Sequence, residues 1–231
     1  ASPAELLAAW YKESVQDVRV FGWRQPFRWR RWPDRLTGEP GRSGIVFIHG
    51  FVCNRGFWAP WLERAQAQGH ACIAVNLEPV YGAIDDYFDT IDSAVRRLTD
   101  ATGRPPALVC HSMGGLAARA WLRRRGDRAA VAHVVTIGTP HRGTALARWS
   151  RAPNGRQMRV QGSWLRELAD AEADAAGLYT CWWSNCDNIV MPPSTATLPG
   201  ADNRLVPGLA HVDLAFHPAV LGGTMALLRD L

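Results

Sequence analysis

Hydrophobic residues form two kinds of pattern from residue 45 onward: short continuous runs, and longer stretches in which they recur every three or four positions. Ile84, Tyr87, Phe88 and Ile91 show the second kind, which is typical of a helix with one buried face. The short runs predict strands at Ile45–His49, Ala71–Leu77, Ala107–Cys110, His133–Ile137 and Leu178–Trp183. Helices are predicted at Trp58–Gln68, Ile84–Asp100, Met113–Arg125 and Pro218–Leu228.

Strands that alternate with helices, and are apolar on both faces, predict a mostly parallel central sheet with helices on both sides. The expected fold class is therefore α/β, and 231 residues suit a single domain. Two segments depart from the alternation. Val18–Trp32 is predicted to form an antiparallel hairpin or edge strands, and residues 143–177 a short cap over the carboxyl edge of the sheet, where ligands bind in such folds.

A strand leads directly into a helix at Ser112, with no connecting loop. A serine at such a turn is strained and its hydroxyl is exposed, which is the arrangement of a nucleophile. Small residues are needed two positions on either side; Gly114 meets this need, and Cys110 stands where glycine is usual. The alternative is an ordinary serine cap for the helix that follows. We expect Ser112 to be a nucleophile.

The order of catalytic groups along such chains is serine, acid, histidine. His211 lies in a loop before the last predicted helix and is the expected base, whereas His133 and His141 are interpreted as structural. Asp187 directly follows a predicted strand and is the expected acid. Asp202 is the alternative, but it falls in a sequence typical of a turn.

Attack by a serine needs hydrogen-bond donors for the negative oxygen that forms. The Met113 amide lies at a helix N-terminus, where the helix dipole also favours negative charge. The Phe51 amide, after the turn that Gly50 permits, is the expected second donor.

Five segments together resemble bacterial triacylglycerol lipases and esterases of the α/β-hydrolase superfamily. They are Val46–Gly50, His111–Gly115, Thr136–Gly143, Asp187–Val190 and the His211 loop. The resemblance implies an α/β-hydrolase fold, a triad of Ser112, Asp187 and His211, an oxyanion hole of the Phe51 and Met113 amides, and no cofactor. Some larger relatives bind calcium beside the histidine loop. Asp213 is suitably placed, but no second acidic ligand is evident, so calcium is left open and not predicted.

The chain has eleven tryptophans. Trp58, Trp149 and Trp164 fall in segments expected near the site, where they would line an apolar acyl pocket; the alternative is core packing. The expected activity is hydrolysis of short- to medium-chain acyl esters, with polyesters as an extension. A thioesterase, amidase or acyltransferase on the same residues is the first alternative, and a catalytically silent binding module the second.

The net charge of +5 comes almost wholly from arginine. It is interpreted as solvated surface or as attraction to an anionic lipid or polymer surface, and nothing accompanies it that indicates nucleic-acid binding. No apolar run is long enough to span a membrane. Cys181 and Cys186 are close enough in sequence to form a disulfide, which is left open. We expect a monomer that is secreted, periplasmic or membrane-anchored, with an N-terminal segment removed, rather than cytoplasmic.

Overall fold

The computed structural model describes residues 1–170, 176–229 and 231. Its described part contains one sheet of six strands, which are β1 (Ile45–Ile48), β2 (Cys72–Ala74), β3 (Ala107–His111), β4 (His133–Ile137), β5 (Tyr179–Trp183) and β6 (Asp202–Leu205). Their order across the sheet is β2-β1-β3-β4-β5-β6, and every neighbouring pair is parallel. The predicted α/β class with a parallel sheet is confirmed.

Helices cover both faces of this sheet. The α-helices are α1 (Pro3–Asp17), α2 (Gln25–Phe27), α3 (Ala59–Ala67), α4 (Phe88–Thr102), α5 (Met113–Arg125), α6 (Pro153–Gln157), α7 (Ser163–Asp170), α8 (His211–Phe216) and α9 (Pro218–Arg229). A π-helix spans Val18–Arg24, and 3-10 turns span Arg55–Trp58, Ile84–Tyr87, Arg128–Ala130, Ala145–Trp149, Ala176–Leu178 and Pro193–Ala196.

Alternate residues of each central strand enter two separate hydrophobic cores. Val46 and Leu108 pack on one side with α4 and α5, whereas Phe47 and Val109 pack on the other with α3 and α9. Successive side chains of a strand point to opposite faces of the sheet, so a strand that is covered on both faces is apolar at every position. This explains the continuous apolar runs in the sequence.

The prediction of an antiparallel hairpin at Val18–Trp32 is wrong. This segment continues α1 as a π-helix and then α2, and the Gln25 amide donates to the Val20 carbonyl five residues earlier. Val20 is buried, while Val18 and Phe21 are exposed on the same helix. The alternating apolar pattern of this segment therefore comes from side chains on two faces of a helix. One of these faces is buried and the other is exposed.

Strand β6 was not predicted, because Gly200–Asn203 was interpreted as a turn. It pairs with β5 at the edge of the sheet and its residues are largely exposed, so it lacks the apolar run that marks the central strands.

The predicted cap lies between β4 and β5. It contains α6 and α7, and α7 packs into the core through Leu165 and Leu168. Residues 171–175 of this segment lie outside the described residues, and its role as a cap stays a prediction.

The five cysteines are all free and buried. Cys181 points into the core on the α5 side of the sheet, whereas Cys186 packs against Ala9 and Ala210, so the two thiols lie in different clusters and the Cys181–Cys186 pair is not formed. In the described part of the chain, no helix has both the length and the apolar character needed to cross a bilayer.

Candidate active site

Ser112 occupies the sharp turn between β3 and α5. Its φ of 54° and ψ of −128° are rare for any residue other than glycine, so the turn stores backbone strain. The end of β4 and the loop after it hold the serine in place: the Ser112 amide donates to the Ile137 carbonyl (2.9 Å), and the Thr139 hydroxyl donates to the Ser112 carbonyl (2.9 Å). Strain at a serine held by its surroundings indicates a functional position rather than a simple helix cap.

Helix α5 begins so close to the end of the neighbouring strand β1 that a side chain at Gly114 would not fit. A Cβ at Gly114 would overlap the Ile48 carbonyl oxygen and lie 2.6 Å from that of His49. Cys110, two residues before the serine, is fully buried among the core side chains beside α5. The sheet therefore accommodates the thiol in its interior, and the departure from glycine leaves the turn intact.

His211 is the first residue of α8 and contacts Asp187. The His211 Nδ1 atom lies 2.9 Å from Oδ2 and 3.1 Å from Oδ1 of the Asp187 carboxylate. The amides of Ile189 and Val190 donate to Asp187 Oδ1 and fix the carboxylate. A Nδ1–H that donates to Asp187 leaves Nε2 free to accept a proton.

Charge around the imidazole favours its protonated form. Burial opposes that form, but the Asp187 carboxylate, with smaller contributions from Glu13 and Asp17, raises the pKa of His211 above its usual value. An imidazole that binds a proton more readily is a stronger general base.

Ser112 and His211 line the same cavity, of about 250 Å³, together with Gly50, Phe51 and Asn188. A second cavity of about 260 Å³ also reaches Ser112 and Phe51. Its remaining lining is largely apolar and includes Leu146, Ala147, Met158, Ile189 and Val190. Ser112 is thus at the junction between the cavity that contains the base and a second, largely apolar cavity.

The segment predicted to supply one oxyanion donor lies against the serine. A Cβ at Gly50 would be 2.8 Å from the Ser112 Cβ, so only glycine permits this approach. Buried His49 fixes the turn, because its Nδ1 donates to the Gly50 carbonyl (2.8 Å) and its Nε2 accepts from the Leu77 amide (3.0 Å). Burial lowers the pKa of His49 to about 4, so it remains neutral near pH 7.

The three tryptophans do not lie where they were predicted. Trp58 is 0% exposed and packs against Phe47 in the core, and Trp149 is 79% exposed. Trp164 is partly buried and its indole N–H donates to Asp85. Among the described residues, none of the three lines either cavity at Ser112, so the expectation of a tryptophan-lined pocket is wrong; smaller aliphatic side chains line it instead.

The residues considered as alternatives have other partners. Asp202 pairs with Arg204 (2.7 Å), His133 contacts the Thr180 hydroxyl (3.0 Å), and buried His141 contacts the Thr136 hydroxyl (3.0 Å). These contacts agree with the structural interpretation of the two histidines.

Two residues at the site were not anticipated. The Glu13 carboxylate of α1 accepts hydrogen bonds from the Val212 amide (2.8 and 3.1 Å) and the Asp213 amide (2.8 Å) at the N-terminus of α8. His111 lies 4.7 Å from His211 between ring centroids, and its Nε2 is 3.3 Å from the His211 carbonyl. Glu13 is some two hundred residues from its partners, so no local pattern could have indicated it.

Asp213 was considered as a calcium ligand. Its carboxylate accepts from the Gln16 amide (3.3 Å). Within the residues that the structure describes, no three or more His, Cys, Asp or Glu side chains are grouped so as to hold a metal ion.

A model of the alpha/beta hydrolase family matches residues 45–225, which is most of the chain and includes all three residues of the predicted triad. The chain belongs to this family. No curated protein matches it in sequence.

Several solved hydrolases share the fold. The mature lipase BlEst2 of Bacillus licheniformis is 20% identical, with a TM-score of 0.72 over 83% of this chain and 94% of that one. Aspergillus fumigatus lipase B is 15% identical, with a TM-score of 0.69 over 83% of this chain and 53% of that one. The Paleococcus ferrophilus monoacylglycerol lipase is 18% identical, with a TM-score of 0.59 over 83% of this chain and 95% of that one. At such identities the likeness concerns the fold of this alpha/beta hydrolase.

Proposed function

We propose that the chain is a carboxylic ester hydrolase that acts through Ser112, His211 and Asp187. One observation carries this proposal: a strained serine lines the same cavity as an imidazole whose other nitrogen is held by a buried carboxylate. This is the arrangement needed to turn an otherwise inert hydroxyl into a nucleophile.

In the proposed reaction, His211 Nε2 takes the Ser112 proton as the serine oxygen attacks the ester carbonyl. The Phe51 and Met113 amides stabilise the negative oxygen, and Asp187 stabilises the imidazolium. His211 then protonates the departing alcohol, and a water activated by the same imidazole releases the acid from the acyl-enzyme. No cofactor enters these steps, and one chain supplies every group, so a monomer is sufficient.

The apolar cavity beside Ser112 favours a short- to medium-chain acyl group. A dry cavity of about 150 Å³ is enough to hold benzene, and this one measures about 260 Å³. The lipases that share the fold support an ester substrate. Thioesters and amides use the same chemistry, and parallel assays with p-nitrophenyl esters, acyl thioesters and anilides would distinguish them.

The decisive test is Ser112→Ala, with Ser93→Ala on the exposed face of α4 as the matched control. We expect the first change to lower p-nitrophenyl ester turnover by at least about a thousandfold, with an unchanged thermal unfolding midpoint. The control should keep full activity. Turnover that survives Ser112→Ala would exclude this serine from the mechanism.

A further inference from the structure

The N-terminal helices expose a row of large apolar side chains, here called the N-terminal face. It consists of Leu6, Leu7, Trp10, Tyr11, Val18, Phe21, Trp23 and Phe27, all classed as exposed. Leu7 is 67% and Val18 70% exposed. Isolated exposed apolar residues are ordinary, but a contiguous group of this kind marks a surface that contacts something else.

Helical geometry places part of this group on one side. Leu7, Tyr11 and Val18 recur at intervals of four and seven residues, so they share a face of α1 and its continuation. The opposite face carries Ala9, Glu13 and Val20, which are buried against the rest of the protein. Most of the apolar row therefore faces solvent.

An excess of positive charge accompanies the later part of the row. Residues 18–32 contain five arginines and no acidic residue. Arg19, Arg30 and Arg31 are exposed, and Arg30 stacks on Trp29, 4.3 Å from its ring centroid. Exposed Trp, Phe and Leu beside arginine are typical of segments that lie in the interface of an anionic membrane; here Arg19 is on the helix, and Arg30 and Arg31 are in the turn that follows α2.

The N-terminal face continues to the mouth of the candidate active site. Phe21 lines the cavity that contains Ser112 and His211. Val52 and Ile189 line the cavities at Ser112 and are themselves exposed. The N-terminal face therefore adjoins the entrance to the site at Phe21.

We propose that the N-terminal face seats the protein on an anionic lipid surface, with the cavity mouth turned toward the lipid. The use of this contact for delivering an ester substrate rests on the proposed function, but the contact itself does not. A second copy of the chain fits less well, because the cores of protein interfaces are depleted of charge and a symmetric pair would bring the arginines of both copies together.

The test uses the Ser112→Ala protein, so that lipid hydrolysis cannot interfere, in flotation with phosphatidylcholine vesicles that contain or lack about one third phosphatidylglycerol. We expect binding to the anionic vesicles to be at least about tenfold tighter than to the neutral ones, and to weaken as salt is added. Equal binding to both, or no binding to either, would overturn the proposal.

Two sets of variants locate the contact. Trp10→Gln with Val18→Gln removes apolar side chains, and Arg19→Gln with Arg30→Gln and Arg31→Gln removes charge; each set should weaken binding to anionic vesicles by at least about tenfold. Because all these side chains are exposed, thermal unfolding and turnover of a soluble ester by the corresponding Ser112 proteins should not change.

The matched control is Arg124→Gln with Arg128→Gln. These exposed arginines precede β4, at the opposite edge of the sheet from Ser112, and should leave vesicle binding unchanged. Equal losses from control and test sets would contradict the proposed orientation. The face would be assigned to a second copy of the chain by two results together. The parent protein would form concentration-dependent dimers without binding vesicles, and the variant at Trp10 and Val18 would no longer form these dimers. Failure of the ester hydrolase proposal would appear separately, in the turnover of the Ser112→Ala protein.

Discussion

Glu13 holds the helix that begins with the proposed base, and Glu13→Gln tests how much it contributes. The carboxylate is 4% exposed and uses both oxygens: Oε1 accepts from the Val212 amide, and Oε2 accepts from the Asp213 amide. A glutamine side chain has the same shape but only one acceptor oxygen. Oε2 alone lies within reach of both amides (3.1 and 2.8 Å), but the glutamine NH₂ group must take the place of one oxygen. That buried NH₂ then faces an amide N–H, so a donor stands where an acceptor is needed.

The expected loss of stability follows from these contacts. A buried donor left without a partner costs about 1–3 kcal/mol, and loss of a negative charge at a helix N-terminus costs up to about 1 kcal/mol. Burial raises the pKa of Glu13, which shows that its charged form is held at a cost that glutamine avoids. We therefore expect the free energy of unfolding to fall by about 2 kcal/mol.

The same variant should shift the pH dependence of turnover. His211 must be neutral to accept a proton, so activity falls as the pH drops through its pKa. The groups that face this imidazole are Asp187, Glu13, Asp17 and His111, and the first three favour its protonated form. Loss of the Glu13 charge should lower the pKa of His211 and move the acid limb of kcat/KM to lower pH.

Urea unfolding and a pH series of ester turnover measure the two effects. Glu63→Gln, on the exposed side of α3, is the matched control and should change stability by less than about 0.5 kcal/mol without moving the acid limb. An unchanged stability and pH profile in Glu13→Gln would refute the argument that α1 positions the base.

Two further predictions concern the serine turn and the apolar cavity. Gly114→Ala should destabilise the protein by about 3 kcal/mol, because the added Cβ would overlap the Ile48 carbonyl oxygen. The control Gly222→Ala, on the open side of α9, should instead stabilise the protein by about 0.5–1 kcal/mol. Comparable shifts of the thermal unfolding midpoint in the two variants would contradict this reasoning. Ala147→Phe should fill the apolar cavity and lower turnover of octanoyl esters by about tenfold or more relative to acetyl esters. If the ratio of octanoyl to acetyl ester turnover did not change, the acyl group would have to lie elsewhere.

The central part of the fold could be predicted from the sequence because its strands and helices satisfy local rules. Helix α5 and strand β4 have the predicted bounds, and the other central elements agree to within a few residues. Ser112 could be recognised because a strand and a helix meet there without a loop, and His211 and Asp187 because they follow it in the expected order. These signals depend on neighbouring residues or on chain order.

Features that depend on packing between distant segments could not be predicted. The number of tryptophans indicates burial but not location: Trp58 is in the core, and Trp164 is partly buried against it, so neither lies at the site. Strand β6 owes its conformation to the hydrogen bonds of β5, since its own exposed residues have no apolar pattern. The apolar cavity combines side chains from several loops and could be seen only once these were folded together.

Helix α1 distributes its polar and apolar side chains in an unusual way. Prediction from hydrophobicity assumes that apolar side chains turn inward and charged ones outward. In α1 the arrangement is reversed around Glu13, which is buried, whereas Trp10 and Tyr11 are exposed. The buried Glu13 carboxylate is stable in water only because two amides of α8 donate hydrogen bonds to it. Exposure of the apolar side chains becomes favourable when a lipid surface covers them. The same reversal thus connects the positioning of His211 with the surface on which we propose that the enzyme works.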